Sequence, residues 1–142
     1  MPVSSYDPSF VSMFYGSIEI TGWAEDAAIN VEHDEDDWSL KVGVGGKGTR
    51  SKTSNRSATI TATTMQTAAV NDLLSAARLL DINTPGGTGG SPLLIKDNSG
   101  TTLFSAETAW IQKPPSAELN REATGREWVF RTDNLVANHG SN

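Results

Sequence analysis

Cysteine is absent from this 142-residue chain, which excludes a disulfide framework, a thiolate nucleophile and a cysteine zinc site. Aromatic residues make up only 7% and hydrophobic residues 37%, below the globular average but well above a disordered composition. No run approaches the ~18 apolar residues of a membrane-spanning helix, and the first ten residues lack the basic and apolar regions of an export signal. The chain is therefore expected neither to insert into a membrane nor to be exported by a cleaved leader. Bases are scarce too: 11 Lys and Arg stand against 17 Asp and Glu, for a net charge of −6. Tight nucleic-acid binding needs a clustered Lys/Arg surface to neutralise phosphates, and no such cluster stands clear of neighbouring acids here. The two histidines, His33 and His139, have no Gly-x-Ser-x-Gly elbow or thiol beside them, so nucleophilic catalysis lacks its components and no enzyme is expected.

What is present suits one domain, roughly 100–150 residues being the commonest size. Thirteen glycines and abundant Thr and Ser point to short strands joined by turns, hence a mainly β fold with a minority of helix. Residues 1–13, with Pro2, Asp7-Pro8 and several serines, read as an N-terminal arm whose order depends on docking. Alternating apolar residues predict strands over 16–23 (Ile18, Ile20), 28–32 (Ile29, Val31) and 38–44 (Trp38, Leu40, Val42, Val44). The last two, joined by the polar turn His33-Asp34-Glu35-Asp36, are expected to pair as a hairpin with one apolar and one wet face. Residues 43–54 hold four glycines and no large apolar residue, and are expected to form a flexible loop or extended arm.

A strand follows over 57–63, alternating Ala58, Ile60 and Ala62 with Thr59, Thr61 and Thr63. The period then changes: Val70, Leu73, Leu74, Ala77 and Leu80 form the stripe of an amphipathic helix over 67–81, which the small alanines of the preceding strand let pack close. A second glycine-rich loop (83–91) leads to strands over 92–96, 101–112 and 126–133, with Pro114-Pro115 ending the second of these. Residues 134–142 read as a polar C-terminal tail.

The charges are sorted by sign. Seven acids and no bases lie from Glu25 to Asp37, and Lys41, Lys47, Arg50, Lys52 and Arg56 follow with no acid among them. Such an order suits a chain that meets copies of itself. Asp34, Glu35, Asp36 and Asp37 on one side, and Lys47, Arg50, Lys52 and Arg56 on the other, are the candidate inter-subunit contacts.

Competing motif readings are weaker. Gly43-x-Gly45-x-x-Gly48 fits the letters of a dinucleotide fingerprint, but no helix N-terminus follows it. The acids beside His33 lack the glycine and terminal Glu of a calcium loop, and the reading carries no metal or cofactor. Trp23, Trp38, Trp110 and Trp128 all fall in predicted strands, as core or interface anchors or, alternatively, as a sugar-binding platform.

From Ser17 onward the order of segments resembles the tail tube proteins of long-tailed contractile bacteriophages. The resemblance is carried by AEDAAINVEHDEDDWSLKVG, the glycine break GGKGTRS, the strand-to-helix run RSATITATTMQTAAVNDLLSAARLLD, and AETAWIQKPPSAELNREATGREWVFRTDNL with its Lys113-Pro114 and Glu127-Trp128-Val129-Phe130. It implies an antiparallel β-sandwich or partial barrel with one flanking helix, six copies to a ring, and rings stacked into a hollow tube. Implied partners are further copies of the chain, a sheath outside, a tape-measure protein and passing DNA in the lumen, and a baseplate and tail terminator at the ends. The implied location is the virion tail, assembled in the bacterial cytoplasm. In such a tube the wet strand faces line the channel: Asn30, Glu32, Ser39, Lys41, Thr59, Thr61 and Thr63. A tube of a contractile bacteriocin or injection machine fits the same pattern, and a carbohydrate-binding β module is the alternative from another class.

Overall fold

The computed structural model describes residues 3, 5–24 and 29–141. Glu25, Asp26 and Ala28, which the sequence places in the acidic run and the second strand, lie outside the described residues, as do three residues of the expected arm.

Among the described residues, ten strands and one α-helix follow a short 3-10 turn (Pro8–Phe10) in order: β1 (Val11–Tyr15), β2 (Ile18–Ile20), β3 (Ile29–His33), β4 (Trp38–Val42), β5 (Gly48–Lys52), β6 (Ala58–Met65), α1 (Val70–Asn83), β7 (Ser91–Asp97), β8 (Leu103–Lys113), β9 (Gly125–Thr132) and β10 (Leu135–Asn138). Eight of the strands form one antiparallel sheet in which β8 is the hinge. Its first half pairs with β7 and β10, and its second half, from Ala109 to Lys113, pairs with β9. The result is two layers, β3-β6-β9-β8 and β2-β1-β7-β8 with β10, which face each other: the rings of Tyr15 on β1 and Phe130 on β9 lie 5.2 Å apart. Strand alternation fills the space between. Met13, Ile60, Ala62, Leu93, Ile95, Trp128 and Phe130 all point inward and are buried, and Leu74 of α1 closes the core.

The helix is fixed by a polar joint. Asn71 Oδ1 accepts from Thr64 Oγ1 (2.7 Å) and from Trp128 Nε1 (3.1 Å), while Asn71 Nδ2 donates to Met65 O (2.9 Å). Thr64 and the Trp128 indole are thus buried with their partners supplied. Gly22 lets the chain cross under this joint. Its φ is +74°, and a Cβ there would sit 2.6 Å from Ala68 Cβ.

Several expectations are corrected. The segment 28–32 does not pair with 38–44: β3 pairs with β6, Glu32 opposite Thr59, and β4 instead pairs with β5. The stretch 43–54 is therefore not all loop. Only residues 43–47 turn, closed by Gly43 N donating to Lys47 O at 2.9 Å, and β5 returns beside β4. The expected strand over 16–23 is a tight hairpin, β1 and β2 joined at Gly16-Ser17 with Gly16 at φ +61°. Residues 11–13 of the expected arm accordingly belong to the core, since Met13 is fully buried.

The C-terminal tail is corrected too. Leu135 is buried, and β10 continues the line of β9 along β8 after a break at Asp133 and Asn134. Asn138 Nδ2 donates to Thr101 O and Ser141 N to Thr101 Oγ1, tying the end of the chain to the β7–β8 turn. The helix runs from Val70 to Asn83 rather than over 67–81. Leu73 is 54% exposed and Leu80 62%, so the buried face is Val70, Leu74 and Ala77 alone.

Candidate functional site

Strand register arranges the side chains on the face of the β3-β6-β9-β8 layer that points away from the core. One row across the sheet is Glu32, Thr59, Arg131 and Trp110; the next is Asn30, Thr61, Val129 and Lys113; a third holds Thr63 and Glu127. Inward residues of the same strands, such as Ile60 and Phe130, are buried, so this outer face is the only one these strands offer to solvent. It is hydroxyl-rich, with two carboxylates, the Arg131 guanidinium and, at the β8 edge, the Lys113 ammonium.

That guanidinium is held. Arg131 Nη2 lies 2.8 Å from Asp34 Oδ2, and Arg131 Nη1 donates to Asp34 Oδ1 (3.0 Å) and Thr59 Oγ1 (2.7 Å). Asp34 also accepts from Ser57 Oγ at 2.5 Å, and its own N–H donates to Ser57 O. The Ser57 hydroxyl foremost, with the Arg131 charge and the Thr59 and Arg131 hydrogen bonds adding to it, holds the Asp34 carboxyl below its usual range despite the opposing effect of burial. The positive charge of Arg131 is neutralised on the face itself.

The layer has two free edges among the described residues. β3 pairs only with β6, and residues 110–113 of β8 pair only with β9. These edges run antiparallel to each other, because three antiparallel pairings separate them.

The hairpin β4–β5 is inserted between the end of β3 and the start of β6. All ten of its strand residues are exposed, including Leu40 and Val42, so it buries neither face against the body. Arg50 lies over the Trp38 ring, 4.0 Å from its centroid. Arg56 stays nearer the body, donating to Thr53 O at 2.7 Å and lying 3.8 Å from Asp37.

Asn30, Glu32, Thr59, Thr61 and Thr63 thus share one face. Ser39 and Lys41 do not, since they sit on the separate hairpin. Of the charged candidates, Asp34, Asp37, Arg50 and Arg56 make contacts within their own chain, while Glu35, Asp36, Lys47 and Lys52 are exposed. Sequence reasoning missed Trp110, Lys113, Glu127, Val129 and Arg131 on the outer face. The alternation of 126–132 carried that signal, but only the β6–β9 pairing ties it to the threonine row. The two histidines, apparently unrelated in sequence, line one cavity with Glu35, Asp36 and Asp37, where the His139 ring packs edge-on to Phe104 at 5.0 Å.

Solved structures share this fold. The tube-terminating cap of the anti-feeding prophage superposes with a TM-score of 0.58 at 10% identity, covering 97% of this chain and 94% of the other. The sheath-tube complex of the extracellular contractile injection system PVC, in its extended state, gives 0.57 at 12% identity over 96% and 91%. A chain of the native gene transfer agent virion gives 0.58 at 12% identity over 94% and 99%. In sequence, structural protein ORF10 of Pseudomonas phage KPP10 is 30% identical over 145 residues, 98% of this chain and 84% of that protein. The model of the bacteriophage PhiTE tail tube protein family matches residues 9–140. The chain belongs to that family, and is a structural subunit of a phage tail tube rather than an enzyme.

Proposed function

We propose that six copies close into a ring through the free edges of the β3-β6-β9-β8 layer, that rings stack into a tube, and that the genome passes through it into the host. The observation that carries this reading is the layer itself: a polar outer face bounded by two unpaired edges. An exposed edge is an aggregation hazard in a monomer, whereas a closed ring satisfies it. Because β3 and β8 run in opposite directions, β3 of one copy laid beside β8 of the next continues the antiparallel pattern without a break.

The outer face then becomes the channel wall. Glu32, Glu127 and the threonine row repel or ignore phosphates, Arg131 is already paired with Asp34, and Lys113 at the β8 edge is outnumbered by the two glutamates. DNA slides on such a wall; a tape-measure protein occupies it before ejection. The exposed hairpin, with Lys41, Lys47 and Lys52, reaches from one end of the layer towards the adjacent ring. Sheath protein surrounds the tube, baseplate and terminator proteins cap it, and assembly takes place in the bacterial cytoplasm. Electron microscopy of the purified protein tests the reading: hollow six-fold rings or tubes are expected, and a persistent monomer at high concentration would overturn it.

A further inference from the structure

A cavity of about 260 Å³ lies between α1 and the start of β9, walled by Pro114 and Pro115. Arg78 and Arg126 both line it, Ser75 and Gln66 add polar groups, and none of its lining residues is a carboxylate. Both arginines are half-buried. Arg126 Nη1 reaches only Thr124 Oγ1, at 3.2 Å, and among the described residues neither arginine has a carboxylate within ion-pair distance. This is an anomaly in a chain where acids outnumber bases 17 to 11.

The cavity is also built to hold its shape. Asn71 clamps α1 to Trp128 and Thr64, and Ser75 and Arg78 follow it one and two turns along the same helix face. Arg126 precedes Trp128 by two residues on β9, hence on the same strand face. The two charges are thus carried by elements locked together at one joint, and the prolines fix the opposite wall. A preformed, positively charged pocket of this kind fits a carboxylate.

The complementary group lies at the other end of the same layer. Arg126 is opposite Thr64 at the end of β6, whereas His33 is opposite Ala58 at its start, six residues or about 20 Å away. The turn leaving His33 presents Glu35 and Asp36, both exposed. In a stack whose rings all point the same way, one end of each layer meets the opposite end of the next. The acidic turn and the basic hairpin leave from the same end, so they cannot meet each other across such a junction; each must find its partner on the far end of a neighbour.

We propose that the Arg78/Arg126 cavity receives the Glu35 and Asp36 carboxylates of a second copy in the adjacent ring, a contact that rests on the stacked-tube reading. Its occupancy sets the polarity of stacking, because a ring presented the wrong way round offers arginines to arginines. The contact is repeated by every subunit of a ring, so small pairwise terms combine.

The test is a charge exchange within one chain. Arg78→Glu with Arg126→Glu, and separately Glu35→Arg with Asp36→Arg, are each expected to leave thermal stability near wild type and to raise the protein concentration needed for tube growth by about tenfold or more. The four changes together are expected to restore growth. Arg78→Gln with Arg126→Gln provides a milder pair should the reversal disturb folding, and is expected to weaken growth in a salt-insensitive manner. Normal tube growth in either reversed pair, or no recovery in the folded fourfold variant, overturns the contact while leaving wild-type tubes as support for stacking. A wild-type protein that never forms tubes removes the stacking itself, and this contact with it.

Discussion

At the scale of single residues, Asp34 does two tasks with one carboxylate. Through Ser57 and Thr59 it ties the turn after β3 to β6, and through Arg131 it cancels the guanidinium charge on the outer face. Its lowered pKa fixes the sign of the pH dependence. The carboxylate form is favoured in the folded state, so its contribution is present above the ordinary value of 3.8, fades as pH falls through the lower folded value, and vanishes when both states are protonated. The turn is accessible to solvent, so the pair is worth about 1 kcal/mol or less. Asp34→Asn keeps the shape and removes the charge. Thermal melts from pH 7 to pH 2 are expected to show the variant less stable by a few degrees at neutral pH, the two proteins converging in acid. A constant offset across the whole range would mean that shape, and not charge, carries the effect.

At the scale of elements, alternation and period located seven of the ten described strands and the helix, missing β1, β5 and β10, because burial on one face writes a period of 2 or 3.6 into the sequence. What these patterns do not contain is partnership. The segment at Ile29 to His33 alternates in the same way whether it pairs with β4 or, as in the structure, with β6. Likewise Gly48-Thr49-Arg50-Ser51-Lys52 carries no apolar residue, so β5 has no period to read, and its strand state comes from hydrogen bonds to β4. The tail around Leu135 was illegible for a related reason: its burial depends on β8 extending past the end of β9. The helix shows the same limit at one position. Leu73 and Leu74 are both on the apolar stripe, yet only Leu74 reaches the core. Leu74→Asp is expected to abolish soluble folding, since an unpaired buried carboxylate together with the lost leucine costs several kcal/mol against a total of roughly 5–15. Leu73→Asp is expected to remain folded, with a melting temperature within a few degrees of wild type. Equal loss of solubility in both variants would show that Leu73 is covered in the folded protein.

At the scale of the whole molecule, the curved sheet separates two surfaces with different duties: a polar face, and ends that carry the hairpin, the acidic turn and the arginine cavity. Under the tube reading the polar face is repeated by symmetry along the entire channel, so a change that a single subunit tolerates is multiplied into a property of the bore. Glu32 and Thr61 lie on neighbouring rows, one beside Thr59 and the other between Asn30 and Val129, with no role in the core. Changing both to Lys is therefore expected to leave subunit stability and tail length nearly unchanged. Each subunit would nevertheless carry two new positive charges and lose a negative one, turning a wall that ignores phosphates into one that attracts them through release of condensed counterions. Phage carrying the double variant are expected to show normal tails by microscopy but a plaque titre lower by on the order of tenfold or more, with DNA release triggered in vitro slowed at low salt and recovering at high salt. Normal tails with normal release would remove this face from the channel. Failure to build tails would instead place it in a packed interface, since buried lysines facing each other across subunits are not tolerated.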